Sequence, residues 1–175
     1  MNWWFDRDYT NLACLDSGGS DSCPCDDDET LWNTNWFSNV ILIPRAVAKT
    51  CLLVGNVNLS SSQRSSCSRF PSRSYAGFYR TLNGVGPLTG ANALDVASLA
   101  IDWSLYARNT TLADDAYTKV HQELPIRNEV RSDGIRADGS YGQHTGLLYN
   151  GNYGKPIARF YLCCLLKFLS VGKDL

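Results

Sequence analysis

The sequence predicts an all-α fold, with helical hairpins joined by long irregular loops. Three observations predict it. Apolar residues recur at helical spacing over 38–54, 92–108 and 110–124. The last two stretches abut with only a short turn between them, and helix, turn, helix is the repeating unit of an all-α array or toroid. Strand signals are weak throughout.

Taken in order, residues 1–34 read as an acidic, loop-rich segment, punctuated by Gly, Ser and the run Asp26, Asp27, Asp28. From Ser38 to Val54 the apolar face comprises Val40, Ile43, Val47, Cys51 and Val54, with Pro44 in an early turn and Gly55 as the stop. Residues 56–80 are rich in Ser and Arg and read as irregular. In the helix over 92–108, Leu94, Ala97, Ala100, Ile101 and Leu105 share one side, and Asn92 is a candidate N-cap. The helix over 110–124 takes Thr110 or Thr111 as its cap and shows Leu112, Ala116, Val120 and Leu124 on its face, and Pro125 ends it. Residues 157–175 form an apolar tail, too short to span a bilayer and carrying Lys167 and Lys173; it reads either as a core helix or as an aberrant end.

A chain of 175 residues with 44% hydrophobic composition suits one domain with a real core. The net charge of −1 argues against nucleic-acid binding, which needs a basic surface. That near-neutral total hides an asymmetry. Residues 1–30 carry Asp6, Asp8, Asp16, Asp21, Asp26, Asp27, Asp28 and Glu29 against Arg7 alone, whereas residues 31–90 have no acid beside Arg45, Lys49, Arg64, Arg69, Arg73 and Arg80. A basic middle of this kind can attract an anionic substrate, although solvated faces that happen to segregate give the same pattern. The cysteine spacings, such as Cys23-Pro24-Cys25, do not match paired zinc ligands, and no metal or other cofactor is expected. Disulfides in a secreted protein fit better: Cys51 with Cys67, and Cys14 with Cys23 or Cys25. Sequons at Asn58 and Asn109 agree with secretion and glycosylation. Met1-Asn2-Trp3-Trp4 does not open a signal peptide, so the chain reads as a fragment or as lacking its true start.

The most informative stretch is 133–154, broken by Gly134, Gly139, Gly142, Gly146, Gly151 and Gly154. It holds His144, bracketed by Tyr141, Tyr149 and Tyr153. Loops of this composition turn the backbone around reactive groups, and a neutral imidazole beside a phenol is a proton-transfer pair. The bland reading is a hydrogen-bonded surface histidine, which is how His121, on a helix, is read. Two further motifs precede the loop: Asn35-Trp36-Phe37 followed by Ile43-Pro44-Arg45, and Leu88-Thr89-Gly90-Ala91-Asn92 at the start of the best helix.

In this order and spacing, the three motifs resemble the catalytic toroid of polysaccharide lyase family 8, the hyaluronate, chondroitin and xanthan lyases, in a fungal-type member. That family carries Asn-Trp-Trp before Pro-Arg, Thr-Gly-Ala-Asn opening a helix, and Asp-Gly-Ser-x-x-x-His leading through a Tyr-rich loop to Tyr-Gly. The resemblance covers about Asn35 to Gly154. It implies an incomplete (α/α) toroid over 35–156, between the 1–34 segment and the 157–175 tail. It makes Asn92 the carboxylate-binding amide, His144 the general base and Tyr153 the general acid. Asn35, Trp36, Phe37, Tyr149 and Arg136 become substrate contacts; Phe37 stands where the family has a second Trp, keeping a flat apolar face without an indole N–H. Arg127 and Arg131 are further candidate carboxylate partners. The family's additional Arg and Glu functions, and its β-sandwich domains, lie downstream of the matching stretch.

The implied reaction is β-elimination on an acidic, uronate-containing polysaccharide by a secreted monomer that binds neither nucleic acid nor membrane. The proton beside a charged carboxylate is weakly acidic, because its removal makes a dianion; an amide donor aimed at that charge is worth roughly 3–4 kcal/mol. Two rival readings remain. One is a truncated, non-catalytic glycan-binding relic. The other is an α/α-toroid glycoside hydrolase, which needs two opposed carboxylates roughly 5–9.5 Å apart; Asp95, Asp102, Asp133 and Asp138 are available, the last two in Asp-Gly turns.

Overall fold

The computed structural model describes residues 1–8, 33, 35–80, 88–155 and 158. The expected Cys14 pairing, residues 9–32 and 34 of the 1–34 segment and nearly all of the 157–175 tail lie outside the described residues. The described chain is mainly helical, as the sequence predicts, with three strands of two or three residues. It divides into two compact units: the described residues of Met1–Leu88 and Val96–Tyr117, and those of Thr89–Asp95 and Thr118–Leu175.

In the first unit, α1 (Asn2–Asp6) puts a short helix where a loop is expected. A π-helical turn, Ser38–Leu42, runs without a break into α2 (Ile43–Val54), with Pro44 at the junction. α3 (Ser61–Tyr75) corrects the expectation of irregular chain over 56–80. Its start is a capping box: Ser60 Oγ accepts from the Gln63 N–H at 3.2 Å, while Gln63 Oε1 accepts from the Ser60 N–H at 2.9 Å. The face of α3 is narrow but sufficient. Cys67 and Phe70 are fully buried and join Val47, Cys51, Leu59 and Tyr106 in one core, against which Met1, Trp4, Phe5 and Trp103 pack. The Cys51–Cys67 disulfide staples α2 to α3, as expected. Asp8 pairs with both Arg69 and Arg73, so part of the basic run is already neutralised by the acidic arm.

α4 (Gly90–Ala107) begins two residues before the expected start. Its buried positions run all round the helix from Ala91 to Ala100, whereas Leu105, expected on the apolar side, is 59% exposed. α5 (Thr110–Glu123) follows after Arg108 and Asn109. Its cap is Asn109 rather than a threonine, the Asn109 Oδ1 accepting from the Leu112 N–H at 3.0 Å. Ala116 and Val120 are buried as expected.

The second unit contains the small antiparallel sheet β1 (Gly134–Ile135), β2 (Tyr141–Gln143) and β3 (Leu147–Leu148), in that order, a feature the weak strand signal did not announce. Gly134 pairs with Gly142 and Ile135 with Tyr141; Gly142 pairs with Leu148 and Gln143 with Leu147. The register leaves His144, Thr145 and Gly146 as the β2–β3 turn.

Candidate active site

All three residues expected to do chemistry fall in the second unit. His144 is delivered by the end of β2, at the first position of the hairpin turn. The backbone φ values of His144, Thr145 and Gly146 are +55°, +62° and +80°. Only Gly enters this region without steric cost, and a β-branched residue such as Thr145 is a true outlier there. Three successive left-handed residues turn the chain tightly and hold the imidazole outward. Strain of this kind persists only where the surroundings over-determine it, and it concentrates at functional sites.

The surroundings do so here. Asp133 Oδ1 accepts from the Gly146 N–H at 3.1 Å, and Arg136 Nη2 donates to the Gly146 carbonyl at 2.8 Å, so the last turn residue is gripped from both sides. Tyr153 then comes back to the loop: its hydroxyl lies 2.8 Å from His144 Nε2. Tyr149 sits edge-on to both rings, with centroids 6.0 Å from His144 and 5.0 Å from Tyr153. Burial, and secondarily the neighbouring Tyr149, raise the Tyr153 pKa above the ordinary phenol value, so its proton is retained. Tyr149 itself is 42% exposed.

Asn92 is the third residue of α4, not its N-cap, and is 94% buried, with 6% of its surface exposed. Its Oδ1 has no hydrogen-bond partner. Other buried side-chain polar atoms among the described residues share this state, Asn39 Oδ1 and Ser74 Oγ among them. The helix start that carries it is tied to the hairpin by the residue preceding His144. Gln143 is 2% exposed; its Oε1 accepts from the Ala91 N–H at 2.9 Å, and its Nε2 donates to Asp133 Oδ2 at 3.0 Å. Asp133 Oδ2 also accepts from the Thr89 hydroxyl at 2.8 Å. Gly90 fits only as glycine, since its φ is +59° and a side chain would run into Gln143 Oε1 and the Tyr141 hydroxyl. The Gly90 N–H donates to Glu123 Oε2 at 2.7 Å. A recess of about 460 Å³ is lined by residues that include Thr89, Glu123, Arg127, Asp133 and Thr145.

The expected substrate contacts divide. Arg136 Nη2 is occupied by the Gly146 carbonyl, and Arg127 Nη2 by the Gln122 carbonyl. Arg131, exposed at φ +63°, borders the recess. Asn35, Trp36 and Phe37 lie in the first unit; Asn35 Oδ1 accepts from the Phe37 N–H at 3.0 Å, an N-capping contact, and the two half-buried rings meet edge to face at 6.1 Å. Among the carboxylates weighed for hydrolysis, Asp133 is committed to three donors. Asp138 is fully exposed, and hydrogen bonds from Ser140 hold its pKa below the usual value. The sequence reading missed Gln143 and treated Asp133 as a turn residue. One signal pointed to Gln143: in a strand, Tyr141 and Gln143 share a face.

The second unit thus presents an imidazole–phenol pair on a strained hairpin, and Gln143 ties that hairpin to the helix start bearing the buried Asn92 amide. Residues 22–159 match polysaccharide lyase family 8, N-terminal alpha-helical domain, and the chain belongs to that family.

Proposed function

We propose that the protein cleaves uronic-acid-containing acidic polysaccharides by β-elimination, with His144, Tyr153 and Asn92 as its working groups. The observation that carries this reading is the 2.8 Å contact between His144 Nε2 and the Tyr153 hydroxyl on left-handed backbone. Neutral His144 takes the proton from the carbon beside the substrate carboxylate. Electrons move to form a carbon–carbon double bond, the glycosidic carbon–oxygen bond on the adjacent carbon breaks, and Tyr153 gives its proton to the departing oxygen. The imidazolium then returns its proton across the same contact to the tyrosinate. The protein ends where it began, and no water is consumed.

Asn92 supplies the missing stabilisation. Turned over about its last torsion, its amide puts Nδ2–H where the unpartnered Oδ1 now sits, with little change of shape. A substrate carboxylate brought within reach of that amide would receive a donor as its charge grows. Tyr149 offers an exposed ring beside the reacting pair, suited to the apolar face of a sugar. In the first unit, Asn35, Trp36 and Phe37 are proposed to contact sugar, the two rings by stacking; in the second, Arg136 is proposed to contact substrate through the donors not engaged above. The reading places a secreted, disulfide-containing lyase domain over 35–156, acting as a monomer.

The test is incubation with hyaluronan, chondroitin, glucuronan and xanthan, followed by mass analysis of the products. Elimination gives fragments lighter by one water than hydrolysis would, with new ultraviolet absorbance from the unsaturated uronate. Fragments carrying the added water, or no cleavage of any of the four, would refute the proposal.

A further inference from the structure

We propose that Gln143 is a positioning residue that fixes the His144 imidazole with respect to the start of α4, and that it does so through Asp133; this rests on the reading of His144 as the base. Gln143, 2% exposed, has almost no surface to offer a substrate. Its amide is spent internally on both sides. Oε1 accepts from the Ala91 N–H and, at 3.3 Å, from the Tyr141 hydroxyl; Nε2 donates to Asp133 Oδ2 and, at 3.4 Å, to the Thr89 carbonyl. Ala91 immediately precedes Asn92, and Gln143 immediately precedes His144. One side chain therefore joins the backbone that holds the amide to the backbone that holds the imidazole. Asp133 extends the clamp around the turn, because its other oxygen holds the Gly146 N–H. The left-handed turn at His144 and Thr145 is thereby pinned before and after the reactive residue.

The pairing has a direction that can be reversed. In Gln143→Glu, a carboxylate faces the Asp133 carboxylate across a 3.0 Å gap, while shape and the acceptor for Ala91 are kept. Adding Asp133→Asn returns a donor to that gap, keeps an oxygen for the Gly146 N–H, and lets the Thr89 hydroxyl accept instead of donate. In the full chain, Gln143→Glu is expected to lower kcat about 100-fold with KM changed less than about threefold, the signature of misplaced reacting groups. The double variant is expected to recover to within about tenfold of the parent, a rescue that lost packing would not show. If Gln143→Glu does not fold, Asp133→Asn alone serves, with a smaller loss of kcat in the same direction.

A second readout does not depend on turnover. The nitrogen resonances of His144 can be compared with those of His121, which is exposed on α5 and outside the clamp. Gln143→Glu should shift the His144 signals toward those of His121, and the double variant should return them. Unchanged His144 signals, unchanged kcat in Gln143→Glu, or a double variant no better than the single one would each overturn the inference. A parent protein without elimination activity would instead sink the function proposed above, while the resonances still decide the clamp.

Discussion

The Tyr153 hydroxyl and Nε2 of His144, nine residues apart in sequence, stand 2.8 Å from one another. The backbone at His144 is left-handed, and the turn that follows is held by Asp133 and Arg136 on Gly146, with Gln143 bonded to Asp133.

Asn92 sets function against stability. A buried acceptor without a partner costs about 1–3 kcal/mol, so Asn92→Ala should leave the thermal midpoint unchanged or raised. The same variant should lose about 10²–10³ in kcat, the usual cost of one donor at a developing oxyanion. Calorimetry beside turnover on a uronate polymer checks both, and a parallel fall in the two would assign Asn92 to structure.

Gly90→Ala should be damaging. The position combines φ +59° with no room beside Gln143 and Tyr141. Left-handed strain and overpacking should together cost about 1–3 kcal/mol, read as a shifted urea midpoint. Gly139→Ala makes a useful comparison, because its φ is +78° but nothing lies within 4 Å of the added carbon; its loss should be smaller.

The Cys51–Cys67 bridge closes a loop with a sequence separation of 16. Replacing both cysteines with serine should cost about 3 kcal/mol. For a chain of this length that lowers the melting temperature by about 6–12 °C. Reductant should lower the melting temperature of the parent by at least as much and should remove the difference between parent and variant.

Glu123 gives stability a pH dependence of known sign. Desolvation raises its pKa; the Gly90 N–H and Arg127 oppose this, and Asp133 adds to it. The folded protein therefore holds the proton more tightly than the unfolded chain does. Stability falls as pH rises from the ordinary carboxylate value through the raised one, because the folded state must then bury the charge. Glu123→Gln keeps an acceptor for Gly90 and should flatten that fall in a series of melts across the acidic range. An equally steep decline in the variant would reject the assignment.

Much of the helical scaffold was legible because helical periodicity needs only side-chain polarity. Val47, Cys51, Ala116 and Val120 lie where that spacing puts them. α3 was not legible by that route: around Cys67 and Phe70 the sequence is mostly Ser and Arg, and only the capping pair Ser60 and Gln63 marked its start. The strands escaped because two or three residues are too few for alternation to register, and their stability comes from tertiary hydrogen bonds such as that from Gln143 to Asp133. At the site, the motif resemblance picked out His144 and Tyr153, and the fold brings them into contact. Gln143 carries no chemistry of its own, so no motif named it.

The most direct measurement is the initial rate of ultraviolet absorbance from unsaturated uronate, on the best polymer of the panel, for the parent, His144→Ala and Tyr153→Phe, with folding verified for each. The account predicts product from the parent and losses of at least about 10²-fold in both variants, since each lacks one end of the proton path. Full rates in both folded variants would contradict it.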